Sequence, residues 1–189
     1  MNETLRLHHI AGFCTEDAIW TMIIDLCDIV RKNPMKQFLP TPQSVIVDAD
    51  RFLMDVSQEA KAEFLPPECQ GMMETASEAQ FVWALGANIY FASSGRILFG
   101  GYGGQYQQAY PKVALPGLQK KHQALTPVMQ RCLAWNPAER PGVQELQDIA
   151  EKERARCLHE KRQAIAAQGP ARISPTPSYD NWPEEMIEL

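Results

Sequence analysis

The chain has 189 residues, 18 basic and 23 acidic, for a formal charge of −5; 45% are hydrophobic and 22% charged. These are the proportions of a globular chain long enough to bury a core, and they exclude a wholly disordered polypeptide. No Lys/Arg block is present to release counterions from a nucleic acid. The longest apolar run, Phe81 to Ala92, is too short to cross a bilayer.

In chain order, the first expected element is a helix entered at Thr15, whose hydroxyl is suited to an N-cap and is followed by Glu16 and Asp17 in the first turn. Ile19, Met22, Ile23, Leu26 and Val30 fall on one helical stripe, and Asn33-Pro34 ends it. Val45–Val47 and Phe52–Met54 are short β-type runs around Asp48-Ala49-Asp50-Arg51, which reads as a hairpin. An irregular segment with Pro66-Pro67-Glu68 follows. Ser77 then caps a helix that is apolar on nearly every side, the mark of a rod through a domain centre, with Gly95 as its C-terminal cap.

Residues 99–117 hold five glycines and two prolines and read as a loop with one helical turn near Gln105–Tyr110. Thr126 is placed as the cap of a helix with Pro127 at its first position, and Met129, Cys132 and Leu133 as its apolar face. Trp83 and Trp135 read as packing aromatics. After Asn136-Pro137 a last helix is expected, with Val143, Leu146, Ile149 and Ala150 inward, running to about Ala167 before Gly169-Pro170. Its charged stretch, Glu151 to Arg162, reads as a solvated face with i,i+4 pairs. The final sixteen residues hold four acidic side chains and no basic one. The expected organisation is a mainly α domain over 1–168 with one small β-hairpin, then a flexible acidic tail over 169–189.

The five cysteines, Cys14, Cys27, Cys69, Cys132 and Cys157, form no C-x-x-C pair. With no secretory pattern in MNETLRLHH, reduced buried thiols in a cytoplasmic protein are expected. No metal-ligand spacing is present, so no metal site and no cofactor is expected.

Several of these pieces, in this order, resemble the C-terminal lobe of a protein kinase. Pro66-Pro67-Glu68 is similar to that family's A-P-E. Val82-Trp83-Ala84-Leu85-Gly86 through Ser94-Gly95 resembles its V-W-S-L-G helix. Cys132-Leu133-Ala134-Trp135-Asn136-Pro137-Ala138-Glu139-Arg140-Pro141 resembles its C-L-x-x-D-P-x-x-R-P, and Thr41 to Asp48 follows the rhythm of L-K-P-x-N-I-L-L-D. The Glu16 to Trp20 stretch resembles the opening of the kinase non-catalytic C-lobe domain, KIND, a lobe used for protein binding.

The resemblance implies a kinase C-lobe-like helical domain in which Glu68 and Arg140 form a buried ion pair. It also implies loss of catalysis. The catalytic aspartate position falls on Leu39 and the metal-binding asparagine position on Ser44; no D-F-G appears, Asp55 is the one conceivable metal carboxylate, and Phe81 stands where the central helix usually begins with aspartate. The Gly-rich loop and strand lysine of an N-terminal lobe are not found in this sequence, so no nucleotide binding is expected.

The expected function is therefore non-catalytic: a scaffold or regulator that binds another protein, with no nucleic acid, membrane or nucleotide partner. Tyr102, Tyr106 and Tyr110, four apart, would form a contact stripe if helical, and Tyr179 and Trp182 in the acidic tail are further contact candidates. Two other readings stand beside it. The chain could be half of a split kinase completed by a second polypeptide, or a thiol-dependent enzyme using Cys14 or Cys69.

Overall fold

The computed structural model describes residues 4–33, 38–69, 76–107, 113–118 and 120–167. Six helices and one two-stranded sheet are present among them. The helices are α1 (Leu7–Ile10), α2 (Glu16–Lys32), α3 (Glu78–Ser94), α4 (Gly104–Gln107), α5 (Thr126–Cys132) and α6 (Val143–Ala167). The strands are β1 (Val45–Asp48) and β2 (Arg51–Met54). Short 3₁₀ turns occupy Ala62–Phe64, Gly100–Tyr102, Lys120–Leu125 and Pro137–Glu139. The protein is mainly helical with one small antiparallel hairpin, as its periodicities indicate. No helix among the described residues is long and apolar enough to cross a membrane.

The centre is α3. Every residue from Phe81 through Tyr90 is buried, because this helix has no polar face to give to solvent. Ser77 and Gln80 close its start with a reciprocal capping box, and Gly95 at φ 70° ends it in the left-handed conformation. Helix α5 lies against α3 at a contact only glycine permits. A Cβ on Gly86 would stand 2.7 Å from the Cys132 Cβ, closer than real carbon contacts come. The Asn88 side-chain amide donates to Pro40 O at 2.8 Å, joining the loop before the hairpin to this core.

Helix α2 packs along α6 and against β2. All five residues of its apolar stripe are buried, and so are Trp20, Thr21, Asp25 and Cys27. Asp25 explains how an acid tolerates that position. It accepts from Phe52 N at 2.8 Å and Arg51 Nε at 3.1 Å, which docks the hairpin on the helix. The hairpin pairs Val45 with Met54 and Asp48 with Arg51. Ala49 takes a positive φ of 53° in its turn, and the segment before α1 joins as an added bridge, Arg6 to Ile46.

Local details differ from the sequence reading at both of the other expected caps. Thr15 holds the N-cap position of α2, yet its side chain makes no capping hydrogen bond. Thr126 lies inside α5 and Leu125 is the N-cap, because the 3₁₀ turn over Lys120–Leu125 runs directly into the helix. The expected end of α6 at Gly169-Pro170 and the acidic tail 169–189 lie outside the described residues.

Candidate functional site

Two prolines bend the chain after the turn at Ala62–Phe64 and bring Glu68 under the start of α3, while Asn136-Pro137 forms a capped turn that delivers Arg140 to the same place. Arg140 Nη1 donates to Glu68 Oε1 at 2.6 Å and Nη2 to Oε2 at 2.8 Å, a bidentate pair across 72 positions. The remaining guanidinium protons go to backbone carbonyls: Nε to Ala134 O at 2.9 Å, Nη1 to Ala79 O at 2.9 Å and Nη2 to Trp135 O at 3.2 Å. All five donors of the fork are used, and the Arg140 side chain is fully buried. One arginine thereby ties the proline segment, α3 and the turn after α5.

The glycine-rich loop is seated on this same segment. Gly104 N donates to Leu65 O at 2.8 Å. A Cβ on Gly104 would lie 2.3 Å from Pro67 N, and one on Gly103, at φ 52°, would lie 2.2 Å from Ala62 O. These two glycines serve close backbone approach, whereas Gly100 and Gly101 have nothing within 4 Å of an added Cβ. Gln107, fully buried, finishes the joint. It accepts from Trp83 Nε1 at 3.0 Å and donates to Leu133 O at 2.7 Å. Trp83 also stacks on Phe99 with ring centroids 5.7 Å apart.

The loop contradicts the expected tyrosine stripe. Tyr102 belongs to one turn and Tyr106 to the next, and the left-handed Gly103 between them breaks any common helix. Both rings are exposed, Tyr102 to 71% and Tyr106 to 50%. Tyr110 lies outside the described residues, as do Tyr179 and Trp182. Trp135, read with Trp83 as a packing aromatic, is 38% exposed. With Val113, Gln130, Leu133 and Glu139 it lines an open groove of 650 Å³.

The residues that the resemblance sets at phosphoryl-transfer positions lie as follows. Leu39 is buried with Ala76 and Ala84. Ser44 is buried in a turn, its hydroxyl donating to Thr41 O and accepting from Thr41 N. Phe81 is in the core. Asp55 follows β2, and its carboxylate accepts from Arg6 Nη2 at 2.9 Å, from Ser57 N and Oγ, and from Gln58 Nε2. The Ser57 hydroxyl and the Arg6 guanidinium draw its pKa down to about 2. Arg6 also donates to Gln43 O. Among the described residues no three His, Cys, Asp or Glu side chains stand close enough to hold a metal ion.

All five cysteines are buried. Burial, followed by the Glu68 charge, pushes the Cys69 thiol up to about 11. Burial pushes Cys132 to about 12 and raises Cys27 further, and burial with the Glu16 contact brings Cys157 to about 12. At neutral pH these four are thiols, and a thiolate nucleophile is what a cysteine enzyme requires. Cys14 Sγ donates to Ile10 O at 3.5 Å.

Sequence reasoning did not reach Gln107, Asp25 or the Arg6–Asp55 pair. Each is a polar group matched to a partner at least 24 positions away, and no local pattern encodes such a match. No family model matches the chain, and no curated protein matches it either.

Proposed function

We propose that this chain is a non-catalytic protein-interaction domain with the form of a protein kinase C-terminal lobe, acting as a scaffold or regulator. The observation that carries the reading is the contrast between a preserved joint and an altered reaction centre. The pair of buried Arg140 with half-buried Glu68 ties the proline–glutamate segment to the helices, much as the resemblance implies for a kinase lobe. Phosphoryl transfer depends on placed metal carboxylates, a lysine and a base. By the resemblance, Leu39 stands at the base position and Ser44 at that of a metal-binding asparagine, and the Asp55 carboxylate is already committed to Arg6, Ser57 and Gln58.

The surface assigned to a partner is the exposed tyrosine pair of the glycine-rich loop. Tyrosine suits such a role, since its ring buries apolar area and its hydroxyl keeps a hydrogen bond. The loop is held on the body by Gly104 and Gln107, which keeps the two rings in place at little ordering cost.

Two measurements test this. Titration calorimetry of the purified chain with magnesium and ATP is expected to give no binding, and steady ATP turnover would overturn the reading. Affinity purification with the intact chain and with the Tyr102→Ser, Tyr106→Ser double variant is expected to yield a partner that the variant loses. Equal recovery by both removes the loop from the interface.

A further inference from the structure

Helix α6 is attached to α2 in two different ways along its length of about 37 Å, at 1.5 Å per residue. Its first half is packed: Val143, Leu146, Gln147 and Ala150 are buried, and Gln147 accepts from Arg31 of α2 at 2.8 Å. Its second half is packed at Cys157 alone, with Glu153, Arg154 and Leu158 half-buried beside it. Cys157 is its last buried residue, and every residue from His159 to Ala167 is exposed, Ile165 among them.

Charge contacts dominate along this half. Arg156 Nη2 lies 3.3 Å from Glu16 Oε1, Cys157 Sγ donates to the same oxygen at 3.0 Å, and Lys161 Nζ donates to Asp17 Oδ1. Glu16 also accepts from Trp20 Nε1 at 3.2 Å, and Arg156 is shared with Glu153 and Glu160 of its own helix. Between the two straps lies a space of 430 Å³ lined by Thr15, Glu16, Asp17, Cys157, Glu160, Lys161 and Ala164. The helix therefore spans a gap at this end and does not fill it.

We propose that residues 151–167 of α6 form an electrostatically latched arm, closed on the first turn of α2 by Glu16 and Asp17, that opens without unfolding the rest of the lobe. Exposed ion pairs are weak and are screened by salt, whereas apolar burial is not; the packed half carries one such exposed pair of its own, Glu145 with Arg131 of α5. Opening breaks the Arg156 and Lys161 contacts and uncovers Cys157 and the space beneath the arm. The inference is independent of the kinase resemblance, since it uses only the two helices and their charges.

Hydrogen–deuterium exchange of the full chain tests it, with Glu16→Gln and Asp17→Asn combined so that the substitutions lie on α2 and leave the internal pairs of α6 intact. Exchange over 151–167 is expected to speed up by on the order of tenfold, the effect of weakening two exposed pairs, with 143–150 and α3 unchanged. Raising the salt on the wild-type chain is expected to move the same segment in the same direction. Unchanged exchange over 151–167 in the variant overturns the latch, as does equal acceleration along all of α6. Salt-insensitive exchange of that segment in the wild-type chain overturns it as well.

Discussion

Arg140 and Arg156 lie sixteen positions apart in the sequence and both contact glutamates, yet their surroundings differ in every respect. Arg140 is fully buried, with five hydrogen bonds that fix three parts of the fold at one point. Arg156 is 42% exposed and divides its guanidinium among Glu16, Glu153 and Glu160. The difference shows that ion pairs in this molecule cannot be ranked by number or distance. A charge that water can solvate loses little when its partner goes. A charge enclosed by backbone carbonyls has no such alternative.

The largest effect is expected at Arg140. Arg140→Leu leaves Glu68 and three carbonyls without their donor, a loss of about 3–5 kcal/mol, read as a fall of several degrees in Tm. Arg140→Lys keeps the charge but not the planar fork, and its Tm is expected between the two. An unchanged transition in Arg140→Leu would break the comparison at its strong end.

Asp25 is an intermediate case, a buried carboxylate whose arginine partner, Arg51, is largely exposed. Asp25→Ala orphans Phe52 N and is expected to cost about 1–3 kcal/mol by urea unfolding. Arg51→Ala is expected to cost less, within about 1 kcal/mol. Equal costs would mean that solvent exposure of the partner is irrelevant here.

Acid titrates the same distinction. Hydrogen bonds from Ser57 and Arg6 hold Asp55 at about 2, below the unfolded value of about 3.9. Burial raises the Asp17 carboxyl, but Lys161 and Thr15 together more than offset it and leave its pKa lowered. A lowered carboxylate stabilises the fold fully above its unfolded pKa and loses that contribution as pH falls through the folded value. Stability is therefore expected to decline between about pH 5 and pH 2. Asp55→Asn should flatten that decline in a thermal series, and a profile identical to wild type would remove Asp55 from the account.

The smallest effect is expected at Arg156. Arg156→Ala should change unfolding stability by about 0.2–1 kcal/mol, and the change should shrink in high salt. A loss as large as that of Arg140→Leu would erase the contrast between the two arginines.

What could be read in advance follows from how far each signal reaches along the chain. The stripe of α2, the Ser77 cap and the glycine end of α3, and the hairpin turn are encoded within a few residues of one another. The structure accordingly contains each of them. The failures have the same origin. Thr126 carries a cap signal, but the preceding 3₁₀ turn overrides it. The charged run of α6 carries i,i+4 pairs, which exist, but nothing local reveals that Arg156 and Lys161 also reach Glu16 and Asp17. Trp135 reads as a packing aromatic, and only the tertiary structure shows the groove that it lines.

The amino-acid order by itself determined the helices, the hairpin and the all-round burial of α3, because backbone preference and apolar periodicity act over one or two turns. Tertiary structure alone decided which charges are enclosed, why glycines stand at 86, 103 and 104, and that Tyr102 and Tyr106 share no helix face. Those outcomes depend on surfaces brought together from distant positions, where close approach and loss of water set the energy.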